Sequence, residues 1–265
     1  MLRAVKASLK LAIAGNHDQV LDREFWNEDG GDPKYVDEVE SIITNAKKDN
    51  VRYLTEGNYT FNLENGAKLR IYVSQYTPEY GWWAFQYPES WNYDIKPGTD
   101  VVVTHGPPKG ILDSVMMGGP YIKHAGCNYL LEAVQRVKPK VHCYGHIHEA
   151  WGAKLLTWKQ NPTLYPTVDL EVQDVIEDDE PWTLELKDIL PHRHDDEETT
   201  GKKIVKMVEM SEQHAAHVDL VDGDRHLSVG EQTLFLNAAI MSLRYNPTQL
   251  PWVVDVPLAP WDDIS

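Results

Sequence analysis

A chain of 265 residues that is 42% hydrophobic can bury a full core, and it reads as one domain carrying an insertion. Its formal net charge of −16, from 25 basic and 41 acidic residues, excludes a general binder of nucleic-acid polymers, although small anions stay open where a metal supplies local positive charge. Two cysteines, no apolar run of about 18 residues and no signal-peptide pattern point to a cytoplasmic, intracellular protein with reduced thiols and no membrane association.

Residues 9–14 read as a short strand that ends at Gly15, and residues 36–48 have helical periodicity, with Val36, Val39, Ile42, Ile43 and Ala46 on one face. Asn65-Gly66 between Tyr59–Leu63 and Leu69–Val73 predicts a hairpin. Asp100–Thr104 reads as a buried strand, 126–137 as a helix stopping before Pro139, and Val141–Tyr144 as a strand ending at Gly145. Between about 169 and 200 the composition turns acidic, with Glu177–Glu180 and Asp195–Glu198 as charge runs. The stretch 169–229 is therefore expected to be a partly disordered, acidic insertion, an arm suited to a basic protein partner. Thr233–Ala239 and Trp252–Val256 are expected to pair with each other. The domain would then comprise 1–168 and 230–265.

Strands and helices alternate, so the fold class is α/β, and polar motifs stand where strands end, which is where ligands collect in open α/β sheets. Three such motifs occur in order: Gly15-Asn16-His17-Asp18, Thr104-His105-Gly106-Pro107-Pro108 and Gly145-His146-Ile147-His148-Glu149. Asn16, His105, His146 and His148 offer one amide oxygen and three imidazoles, neutral ligands suited to a divalent transition metal. Short His-x-His patterns also arise by chance, and His192-Arg193-His194 is such a decoy. His146 and His148 differ from it by following an apolar strand and a glycine, so that an extended backbone would point both the same way. Taken alone, His105 reads more often as a satisfied buried histidine, and Gly15–Asp18 equally as no more than a turn. The functional alternative makes Asn16 an oxygen ligand, His17 the group that protonates or stabilises the leaving oxygen, and Asp18 the carboxylate orienting His17. The aromatic residues Tyr80, Trp82, Trp83, Phe85, Tyr87, Trp91 and Tyr93 read either as packing or as a wall for a nucleobase or aryl ester.

In order and wording these motifs resemble the calcineurin-like metallophosphoesterases, whose pattern is D-x-H, G-D, G-N-H-[DE], a histidine in G-H or T-H, then G-H-x-H. Thr77-Pro78, Gly81–Phe85, Thr104–Pro108, Gln135–Lys140, Gly145–Gly152 and Phe235–Ala238 resemble one branch, the metallophosphoesterase-domain-containing proteins related to class III cyclic-nucleotide phosphodiesterases. The likeness covers about residues 9–155 and 230–258. It implies a four-layer α/β/β/α sandwich with two metals, manganese, iron or zinc. Asn16, His105 and His146 would bind one metal, His148 would contribute to the other, and His17 would assist the leaving group. The implied reaction is metal-dependent, phosphodiesterase-type hydrolysis of a small, nucleotide-like phosphoester. Only 14 residues precede Gly15, and D-x-H and G-D are absent, so the chain reads as N-terminally shortened, lacking the first strands and most ligands of one metal. The alternative reading is a catalytically inactive relative, a binding or scaffold module with at most one weakly held metal.

Overall fold

The computed structural model describes residues 4–116, 122–162, 170–177, 181–223 and 225–261. Its chain divides into two compact units, Met1–Gly106 with Leu258–Ser265, and Pro107–Pro257.

The first unit opens with β1 (Lys10–Ala12), α1 (Arg23–Glu28), α2 (Pro33–Ala46) and β2 (Val51–Tyr53), and β1 runs parallel to β2 with Lys10 opposite Val51. Helix α2 starts earlier than its apolar periodicity, because the Asp32 side chain caps the Lys34 N–H and Pro33 occupies the first turn. Only Val36 of its apolar stripe is buried, and Ile42 is 62% exposed, so the expected inward face is narrower than its spacing suggests. Strands β3 (Gly57–Asn62) and β4 (Lys68–Ser74) form the expected hairpin, with Asn65 Oδ1 accepting the Ala67 N–H and Gly66 at φ 81°. After the short pair β5 (Thr77–Pro78) and β6 (Gln86–Tyr87), strand β7 (Val101–Thr104) joins β4 in parallel, Ser74 opposite Thr104. Leu54, Phe61, Ile71 and Val73 form the core here, flanked by Leu11, Ile13 and Val103. Apolar burial thereby fixes the register that brings the carboxyl ends of β4 and β7 level.

The second unit contains the hairpin β8 (Ser114–Met116) and β9 (Ile122–His124), then α3 (Asn128–Val137), β10 (Val141–Tyr144), β11 (Gly152–Thr157), α4 (Val172–Val175), β12 (Trp182–Glu185), α5 (Leu186–Ile189), α6 (Glu197–Gln213), β13 (Ala216–Asp219), β14 (Gln232–Asn237) and β15 (Trp252–Asp255). Helix α3 buries Leu130, Leu131, Ala133 and Val134, and it stops at Lys138, left-handed at φ 50°, before Pro139. β14 lies between β10, to which it is parallel, and β11, to which it is antiparallel, while β12 adds to the far side of β11.

The expected pairing of 233–239 with 252–256 is corrected. β15 pairs with β13 in parallel, Ala216 opposite Trp252, and β14 takes two sheet neighbours. The continuous burial of Thr233–Asn237 suits an interior strand, whereas the half-buried alternation of β15 suits a small two-stranded sheet.

The described part of the acidic stretch forms regular structure. Its acids sit at helix starts: Asp174 accepts the Glu171 N–H, Asp188 the Glu185 N–H, and Asp196 the Thr199 N–H, with Glu197 and Glu198 in the first turn of α6. Negative charge there complements the helix dipole, so the Asp195–Glu198 run starts a helix rather than leaving solvated coil. Asp178–Glu180 lie outside the described residues. Leu184, Ile189, Met210 and Ala216 pack with Trp151, which stacks on Trp252 at 4.6 Å, so this stretch shares the core of the second unit. Among the described residues no helix is long and apolar enough to cross a membrane.

Candidate functional site

In the first unit the residues after β1 make a tight turn. Asp18 N–H donates to Gly15 O at 3.0 Å, and Gly15 N–H donates to Asp18 Oδ2 at 2.7 Å, so the motif closes itself. The turn packs Ala14 against Phe25, Ala84 and Phe85. Asn16 is buried, and its Oδ1 lies 2.8 Å from His105 Nε2. His105 follows β7, and its N–H donates to Ser74 O at 3.0 Å. Its ring lies so close over Gly15 that a Cβ there would come within 2.5 Å of His105 Cε1; only glycine leaves that space.

The Asn16–His105 contact is a hydrogen bond, and its two atoms are a potential pair of ligands for one cation. Donor atoms roughly 2.1 Å from an ion lie about 3 Å apart at right angles and about 3.4 Å apart in the tetrahedral zinc geometry, so the pair would open slightly to hold zinc. An amide oxygen only accepts, so in this structure His105 donates from Nε2, and holding a cation requires the proton to move to Nδ1. The pair fits two positions of a coordination shell. Among the described residues no three His, Cys, Asp or Glu side chains come together as a metal-holding group.

His17 is exposed, and its ring meets Trp83 with centroids 4.4 Å apart. The expectation that Asp18 orients His17 is corrected: the carboxylate is bound to the Gly15 N–H of its own turn, and the indole supports the imidazole instead. Burial first, and then the charge of Asp18, pushes the Tyr53 phenol up to about 12, so its hydroxyl stays protonated beside the turn. Asp22 was missed in the sequence. One of its oxygens caps α1 at Phe25 N–H, and the other accepts the N–H of Phe85, which stands at φ 55°. An aspartate just before a helix was the legible signal; its second bond, 63 residues away in sequence, was not.

Most of the aromatic stretch is packing. Phe85, Tyr87 and Tyr93 are buried, Trp91 stacks on Tyr76 at 4.1 Å, and its Nε1 donates to Glu56 Oε1, which also accepts from Tyr72 and Ser74. Tyr80 and Trp82 stand exposed.

In the second unit β10 ends at Tyr144, and the backbone then turns. Ile147 N–H donates to Gly145 O at 2.8 Å, His146 has φ 68°, and a 3-10 turn spans His148–Ala150. The expected extended segment presenting His146 and His148 on one side is therefore corrected, since strand alternation does not hold through a turn. His148 meets Tyr245 edge-on at 5.4 Å, its carbonyl accepts from Gln249 Nε2, and Glu149 accepts the Met116 N–H.

Asn237 positions this turn. It is fully buried at the end of β14; its Nδ2 donates to Ile147 O at 2.9 Å and Leu112 O at 3.1 Å, and its Oδ1 accepts the Ala239 N–H. A polar residue within the apolar run Phe235-Leu236-Asn237-Ala238 was the sequence signal, because a buried amide demands partners. Asp113, also fully buried, was missed because its partners are scattered between Gly110 and Gly126. On β10, burial holds His142 neutral, its pKa lowered to about 3. His192 and His194 sit on the surface beside each other.

Comparison with known proteins places these turns in context. The chain is 35% identical over 162 residues to metallophosphoesterase domain-containing protein 1 of Homo sapiens, covering 54% of this chain and 45% of that protein. It is 35% identical over 155 residues to a probable rhamnogalacturonate lyase C of Emericella nidulans, covering 56% of this chain and 13% of that one. A UPF0046 protein of Caenorhabditis elegans is 31% identical over 167 residues, covering 57% of this chain and 41% of its own length. The matched stretch thus spans less than half the length of each of these relatives. The family model for calcineurin-like phosphoesterases matches residues 1–150, more than half of this chain and all three motif turns, and the chain belongs to that family.

Proposed function

We propose that this chain hydrolyses small phosphodiesters, nucleotide-like ones among them, in a reaction that depends on a divalent transition ion. A phosphoesterase-type function in general follows from the family. The observation that carries the finer reading is the buried Asn16 oxygen 2.8 Å from His105 Nε2. Asn16 and His105 would hold the ion; His146 and His148 match the family's last motif by order alone. A bound divalent ion supplies Lewis acidity toward phosphoryl oxygens and activates water.

A donor set of one amide and imidazoles, without a carboxylate, suits a zinc-like ion better than manganese. His17, exposed at the turn and in tilted contact with Trp83, would hand a proton to the leaving oxygen. Asp18 fixes the turn from which His17 projects.

Release of p-nitrophenolate from bis-p-nitrophenyl phosphate tests this. The expected outcome is hydrolysis that zinc or manganese stimulates, chelation removes, and His105→Ala lowers by about a hundredfold, the upper range for disturbing a metal's surroundings. Equal rates in the variant, or rates indifferent to chelation, would sink the proposal. A second reading, a non-catalytic binding module, rests on the same Asn16–His105 pair holding a single ion. That reading predicts no hydrolysis, and at most one zinc per chain by elemental analysis.

A further inference from the structure

Asp113 is fully buried in the loop before β8, and three N–H groups hold its carboxylate. Oδ2 accepts from Gly110 N at 2.9 Å and Gly126 N at 3.0 Å, and Oδ1 lies 2.7 Å from His124 Nδ1. Gly126 is required there, since a Cβ would come within 2.3 Å of Pro108 O. His124, at the end of β9 and opposite Ser114, leaves 54% of its side chain exposed. With Nδ1 bound to a carboxylate that cannot move, the ring is oriented and its remaining polar atom, Nε2, is presented on the opposite, outer edge. A buried carboxylate behind a solvent-facing imidazole is the arrangement that orients histidines which bind or react.

The same frame carries the His146–His148 turn. Asn237 Nδ2 bonds Leu112 O, one residue before Asp113, together with Ile147 O, and Tyr144 OH donates to Ile111 O at 2.8 Å. Met116 on β8 donates to Glu149 of the turn at 3.1 Å. In a chain of net charge −16, an anion has to be met by locally arranged donors. Here the negative charge of Asp113 is enclosed by N–H groups, while the imidazole faces outward.

We propose that His124, oriented by Asp113, is a phosphate-contacting residue: as the imidazolium, with Nδ1–H on Asp113, it donates from Nε2–H to a non-esterified oxygen of a phosphoester bound beside the His146–His148 turn. This assignment rests on the phosphoester reading above and adds a binding residue to it.

Three variants separate the role from mere packing. In His124→Asn the amide nitrogen can replace Nδ1 toward Asp113 but nothing replaces Nε2; in His124→Phe neither nitrogen remains; in His124→Arg one guanidinium nitrogen can face Asp113 and another the anion. Binding of inorganic phosphate by calorimetry is the primary reading, with KM and kcat on bis-p-nitrophenyl phosphate beside it. Loss of a hydrogen bond to a charged group predicts about tenfold weaker phosphate binding in His124→Asn and His124→Phe, a matching rise in KM with kcat little changed, and recovery in His124→Arg. Should the Asn variant fold poorly, the contrast between Phe and Arg carries the test. Phosphate affinity unchanged in Asn and Phe, no recovery in Arg, or no phosphate binding by the unaltered chain overturns the assignment. Phosphate binding that follows this pattern without any hydrolysis leaves His124 standing and removes the phosphodiesterase reading; hydrolysis that ignores all three variants does the reverse.

Discussion

The Gly15–Asp18 turn and the Gly145–Glu149 turn both follow a strand, yet they are held in opposite ways. The first closes on itself through Asp18 and takes from its surroundings the bare space over Gly15 into which His105 fits and the Asn16–His105 bond. The second has few bonds of its own and is fixed from outside, by Asn237 on β14, by Gln249, and by Met116 on β8. A self-closing motif tolerates change in its scaffold, whereas a riveted one inherits every weakness of the elements that hold it.

Acid is the strongest way to separate them. His142 on β10 has its folded pKa lowered to about 3, against an ordinary value of about 6.5. Between those values the unfolded chain binds the extra proton, so the stabilising contribution of neutral His142 is complete above about pH 6.5 and declines as pH falls toward 3, by up to about 1.4 kcal/mol per pH unit. Urea unfolding followed against pH should show this decline, and His142→Phe should flatten it; identical pH curves for the two would exclude His142 as its source.

Next comes the rivet itself. Asn237→Leu strands the Leu112 and Ile147 carbonyls and the Ala239 N–H, and with about 1–3 kcal/mol for each buried group left unsatisfied, a loss of about 3 kcal/mol or more is expected in urea unfolding. A loss under about 1 kcal/mol would show that the second turn holds itself.

Gly15→Ala tests the first turn where it meets its surroundings. The added methyl meets the His105 ring, which costs about 1–3 kcal/mol as overpacking and parts His105 from Asn16. Zinc affinity measured by competition with a chromogenic chelator should fall along with stability. Unchanged affinity would mean that His105 and Asn16 do not act together.

The smallest effect belongs to Asp18→Asn, because an amide oxygen still accepts the Gly15 N–H. A change of about 0.5–1 kcal/mol is expected, the scale of one ordinary hydrogen bond. If the same variant abolished hydrolysis while leaving the fold intact, Asp18 would have a chemical role beyond closing its turn.

The contrast also explains what could be read in advance. The Asn65-Gly66 hairpin, the end of α3 before Pro139, and the strands leading to each motif follow from spacing and turn chemistry that act over a few residues. The first turn was legible for the same reason, as Gly, Asn and Asp close it locally. The second was misjudged: a strand's direction was extended through Gly145, where the backbone turns to let Ile147 meet an asparagine 90 residues later in the chain. The acidic run was misjudged because composition registers charge but not the helix N-terminus that makes the charge favourable.

By itself, the sequence determined the residue types and order of the three motifs, the strands that carry the first two of them and β10 before the third, and with these the family, since each depends on contacts within a short stretch of chain. Only the tertiary structure decided that Asn16 meets His105, that His17 leans on Trp83 rather than Asp18, that β15 pairs with β13, and that Asp113 orients His124. Those contacts link residues 11 to 89 positions apart, and which of many chemically equivalent partners is chosen depends on the packing of the elements between them.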